Sequence, residues 1–134
     1  MKLKLDTMVP FKDLENYLKT GKRPSYFPEL KGYSLENVIS DSREYYQIIL
    51  ERSKKHILDV KTAKLIVDKI ETLVPIVSKM ETEIQYQFLL VVYYFIQVED
   101  FENDLNSPIG FDDDSEIVNL FLERIQSDLP RILL

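Results

Sequence analysis

The residues with most capacity for chemistry are acidic and close together. In the stretch YYFIQVEDFENDLNSPIGFDDDSE, from Tyr93 to Glu116, eight carboxylates occur with no base among them. They are Glu99, Asp100, Glu102, Asp104, Asp112, Asp113, Asp114 and Glu116. Clustered oxygens are what hard cations such as calcium and magnesium require. A cation site would draw on Asp100, Asp104, Asp113 and Asp114, with the segment folded back on itself. The EF-hand template does not fit. Counted from Asp100, Glu102 and Asp104 fall at positions three and five. Leu105 then stands where the turn glycine is required, and Phe111 where the bidentate glutamate is required. The competing use of these acids needs no ion. A carboxylate in the first turn of a helix is worth about 0.3–1 kcal/mol through the free N–H groups and the helix dipole. Asp113 with Glu116 three residues on also has the spacing of a capping box.

Other reactive groups are sparse. His56 is the single histidine, so neither a triad nor a histidine-rich metal site can be built from one chain. It follows Lys54 and Lys55 at an expected helix end, a surface position. The three glycines, Gly21, Gly32 and Gly110, make no phosphate-binding loop. The eight tyrosines fall mostly on apolar helix faces and are expected to pack, with their hydroxyls reaching the rim.

These side chains must be positioned by helices. Pro10 suits a first turn. Phe11, Leu14, Tyr17 and Leu18 share one face up to a stop at Gly21, a helix over about 10–20. The segment from Gly21 to Ser34 reads as a loop, fastened by Tyr26, Phe27 and Tyr33. Ser34 then caps a helix over about 35–55, with a stripe of Leu35, Val38, Ile39, Tyr45, Tyr46, Ile49 and Leu50. Asp59 can cap a third helix, carried by Ala63, Ile66, Val67, Ile70, Leu73, Val74 and Val77. Pro75 predicts a kink or break in it near Leu73. From Phe88 to Ile96 the chain is apolar on all sides, which predicts a buried central helix over about 81–97. A last helix opens in the run 112–116, presents Ile117, Leu120, Phe121 and Ile125 to the core, and ends at Pro130. The fold class is all-α: one domain over 1–134, a bundle of about five helices. Residues 1–33 supply the short first helix and an ordered loop, and 34–134 the helical core.

Composition narrows the function classes. The chain has 134 residues, 45% hydrophobic and 30% charged, which suits one globular core. It has no cysteine, so disulfides and thiolate metal sites are excluded and a reducing cytoplasm is the expected location. The first residues lack the apolar core of a secretory signal. The longest apolar run, nine residues, is far short of the roughly twenty of a membrane span. The net charge of −6 is unevenly placed. Residues 1–79 carry 15 Lys/Arg and 11 Asp/Glu, net +4. Residues 80–134 carry 2 and 12, net −10. Such an acidic field disfavours nucleic acid and anionic lipid.

The acidic region resembles a known family. Tyr94-Phe95-Ile96, then Asp100, Asp104, Pro108-Ile109-Gly110 and Asp113-Asp114 follow the order found in the YkvA-like family of small helical domains. Its members carry a buried helix ending in Tyr-x-Ile, a Pro-x-Asp-x-Ile-Pro-Asp turn, and Gly-x-x-Asp-Asp opening the next helix. The likeness covers about residues 80–125. It departs at Val98, Glu102 and Asn103, where the family has Pro, Ile and Pro. The resemblance implies a helix–loop–helix geometry and no particular reaction. The function expected overall is that of a non-catalytic helical domain whose acidic element serves structure or interaction. The alternatives are a calcium- or magnesium-dependent protein or hydrolase using the four aspartates, and an immunity- or inhibitor-type protein whose acidic face covers a basic partner.

Overall fold

The computed structural model describes residues 9–30, 33–54, 59–96 and 111–132. Among these residues there are five helices and no strand: α1 (Phe11–Thr20), α2 (Leu35–Arg52), α3 (Val60–Val77), α4 (Thr82–Ile96) and α5 (Asp112–Arg124). The all-α bundle read from the sequence is the architecture observed. No helix among the described residues is long and apolar enough to cross a membrane.

α4 is the centre, and its sequence explains why. Every residue from Leu90 to Ile96 is buried, as are Gln87 and Phe88. A helix apolar on all sides has no face to give to water, so neighbours must surround it. α2, α3 and α5 all pack on it. Rings tie the layers together. Tyr45 of α2 meets Phe95 edge-on at 5.0 Å, Phe95 meets Phe111 at 6.2 Å, and Phe88 meets Phe121 of α5 at 5.5 Å. α2 and α3 pack along one another, and an Arg43–Glu71 ion pair joins the first half of α2 to the second half of α3. That pairing is what an antiparallel arrangement requires.

The helix ends follow local chemistry. Gly21 adopts the left-handed conformation (φ 73°) and donates its N–H to the Tyr17 carbonyl at 2.8 Å, closing α1. At the start of α2, the Asn37 side-chain oxygen accepts from the Ser34 N–H at 3.3 Å. Asp59 caps α3 as expected, accepting from the Thr62 N–H at 3.0 Å and from the Thr62 hydroxyl at 2.6 Å.

Two expectations are corrected. Of the kink or break expected near Leu73, the break does not occur: α3 runs through Pro75 to Val77. Only two helical residues follow it. Pro75 itself is exposed, so water can serve the carbonyl that its missing N–H releases, while fully buried Val77 holds the last turn on the core. Pro130 does not end α5. The helix stops at Arg124, with Gln126 left-handed at φ 55°. Gln126 N–H bonds to the Glu123 carbonyl at 3.0 Å and Ser127 N–H to the Leu122 carbonyl at 2.9 Å, the paired bonds of a Schellman ending. Tyr26 does fasten its loop, but from outside the core. It is 56% exposed, and it is fastened by a hydrogen bond from its hydroxyl to Asp13 and by edge contact with Phe27. Phe27 and Tyr33 are buried as expected.

Candidate functional site

Two groups of polar residues stand out: the acidic opening of α5 and a chain of side chains between α1, α4 and α5. Asp112, Asp113 and Asp114 form the first turn of α5. The helix begins at Asp112 with Phe111 in the capping position and no side-chain cap. Asp113 therefore lies inside the helix, and the capping box expected from Asp113 and Glu116 does not form. The cause is Phe111. Its ring is 1% exposed and packs against Phe95, so burial of an aromatic sets where the chain enters the helix. The three aspartates still place negative charge at the dipole's positive end. Consecutive helical residues point about 100° apart. Asp113 is accordingly exposed, whereas Asp114 is 6% exposed and engaged with other groups. Of the proposed cation ligands, Asp113 and Asp114 thus diverge, and Asp100 and Asp104 lie outside the described residues, as does His56. Among the described residues no three acidic or histidine side chains are grouped as metal ligands.

The second group was not foreseen. Tyr17 of α1 is fully buried and donates its hydroxyl proton to the Glu83 carboxylate of α4. One turn along α4, Gln87 is also fully buried. Its side-chain oxygen accepts from Arg124 Nε of α5 at 3.3 Å, while its amide nitrogen has no hydrogen-bond partner. Arg124 lies across Gly21, where an added Cβ would come within 2.6 Å of Nη2. Around this chain, Phe27 meets the Tyr17 ring edge-on at 5.6 Å and Tyr86 lies 6.3 Å away. Tyr86 donates to the Pro28 carbonyl at 2.7 Å under the Arg23 guanidinium, 3.8 Å above its ring. The signal for this group was present in the sequence as Glu83 and Gln87, an i,i+4 polar pair just before the apolar run.

Electrostatics decide what the Tyr17 group can do. Burial, and then the Glu83 carboxylate at its hydroxyl, push the Tyr17 pKa well above the usual value. A general acid or base works best near the ambient pH. Tyr17 moves away from it and stays a neutral hydrogen-bond donor. The group therefore braces three helices and does not activate a nucleophile. Tyr33 behaves alike: burial first, then the facing Asp41 carboxylate, raise its pKa. Asp41 and Ser42 are buried on α2, within a stripe that reads as apolar on either side of them.

No family model, curated protein or solved structure matches the chain.

Proposed function

We propose that this chain is a non-catalytic helical domain whose acidic segment between α4 and α5 serves structure and protein contact. The observation that carries this reading is the division of the α5 aspartates. Asp114 turns into the protein body while its neighbour Asp113 faces solvent. Acids used in this way stabilise a helix start and leave an outward negative face. The YkvA-like resemblance is part of the same proposal, supported by the buried α4 ending at Ile96 and the acid-led opening of α5. A basic protein surface is the complement of the outward carboxylates, and association with it should slow steeply as salt is added.

Substituting Asp113→Ala tests the structural half. Loss of one first-turn carboxylate should lower stability by about 0.3–1 kcal/mol. The drop in melting temperature should be the same in chelator and in millimolar calcium or magnesium. A drop seen only with the divalent ion would assign Asp113 to a cation site instead.

A further inference from the structure

We propose that a groove between α3 and the C-terminal segment is a docking site for an acidic peptide segment of a partner protein. The groove holds about 460 Å³ and is lined by Lys61, Leu65, Lys69, Pro130, Arg131 and Ile132. That volume lies in the range of small-molecule and side-chain pockets. One wall is α3. The other is fixed by Asn119, whose amide donates to the Ile132 carbonyl at 2.9 Å and accepts from the Ile132 N–H at 2.8 Å.

Charge selects the occupant. The chain as a whole is −6, yet this groove brings three cations together. None of Lys61, Lys69 and Arg131 pairs with a carboxylate among the described residues. Arg131 spends one nitrogen on the Ser127 and Leu129 carbonyls and keeps its charge and remaining donors. Among the described residues the lining also holds one acid, Asp59, which accepts from Thr62, so three cations against one carboxylate leave the groove net positive. The floor between the cations is apolar and open. Leu65 is 42% exposed, one of three large apolar side chains exposed among the described residues, the others being Tyr26 and Ile76. Ile76 follows eleven residues on, within about 20° of the same face of α3. Asp68, Lys69 and Thr72 lie between the two on that face, so the apolar floor at Leu65 is local to the groove.

The spacing sets a pattern. Lys61 and Lys69 stand one turn either side of Leu65, about 12 Å apart along the helix. An extended segment reading acid–x–apolar–x–acid spans about 13 Å between its carboxylates. Laid along α3, it puts its apolar side chain on Leu65 and one carboxylate at each lysine.

The probe is a fluorescein-labelled Ser-Glu-Ser-Leu-Ser-Glu-Ser peptide, followed by anisotropy with the full chain at low salt. Saturable binding is expected, weakening as salt is added. Changing the peptide's glutamates to lysine, or its leucine to serine, should weaken binding by about tenfold or more. On the protein, Lys61→Glu with Lys69→Glu should abolish it, and Lys61→Gln with Lys69→Gln should weaken it while the thermal melt stays unchanged. The proposal is overturned by absent or unsaturable binding, or by binding that the double variants leave intact. It is also overturned if the double variants fail only to self-associate in sedimentation, which makes the occupant a second copy. Binding to phosphatidylserine vesicles but not to the peptide overturns it in favour of a membrane surface.

Discussion

Replacing Phe88 by alanine should cost about 3–5 kcal/mol of unfolding free energy, the range for a buried aromatic whose site cannot collapse. Phe88 is 0% exposed and sits two residues before the unbroken buried stretch of α4, against Phe121 of α5, itself 0% exposed. Phe88 belongs to one buried core to which all five helices contribute, so the space left behind is not refilled by one rotamer change. Domains of this size are stable by only about 5–15 kcal/mol, so the loss would approach the whole margin. Urea denaturation followed by circular dichroism checks this. A midpoint shift worth under about 1 kcal/mol would mean that α4 is not the packing centre. As an internal comparison, Leu65→Ala on the exposed face of α3 should shift the midpoint little.

The second large effect is alkaline unfolding. Tyr17, Tyr33 and Tyr86 all have pKa values raised above the usual 10, with burial the largest cause in each. A raised folded pKa means that the folded state keeps its proton where the unfolded chain has lost it. The stability so contributed is complete below about pH 10, the unfolded value, and is lost as pH rises toward the folded values. Stability should therefore be flat in tyrosine ionisation from pH 7 to about 9 and fall steeply beyond pH 10. The variant carrying Tyr17→Phe, Tyr33→Phe and Tyr86→Phe starts lower, having lost the hydrogen bonds to Glu83 and Pro28. Its decline above pH 10 should be shallower than the parent's. Equal slopes in parent and variant would show that these hydroxyls titrate as freely in the fold as in water. Ultraviolet absorbance reads the same ionisation directly: the three should not titrate until the chain unfolds.

Apolar spacing carried most of the fold. The expected helix over 10–20 is Phe11–Thr20, the Asp59-capped helix starts at Val60, and the buried helix over 81–97 is Thr82–Ile96. These positions are set by local rules: left-handed glycine, a capping carboxylate, a run with no polar face. What could not be read were outcomes decided between elements. The capping pattern at Asp113 and Glu116 lost to Phe111, whose burial against Phe95 belongs to the tertiary structure. The break expected at Pro75 lost to buried Val77 and to solvent on the proline's side. Gln87, Asp41 and Ser42 are polar residues inside the core, and nothing in helical periodicity announces which polar residue will find a partner there. The candidate site was legible as a concentration of charge. How Asp113 and Asp114 divide between solvent and core required the register of α5.

On the function proposed above, the acidic segment works without an ion. A thermal melt titrated with calcium, magnesium and manganese tests it most directly, run on the parent chain and on a variant with Asp100→Asn, Asp104→Asn, Asp113→Asn and Asp114→Asn. A ligand that binds only the folded state raises the melting temperature by mass action. The parent's melting temperature should stay flat into the millimolar range, with the variant offset by a constant amount at every concentration. A parent melting temperature that climbs with the logarithm of divalent concentration, beside a flat variant, would contradict the account and make the four aspartates a cation site.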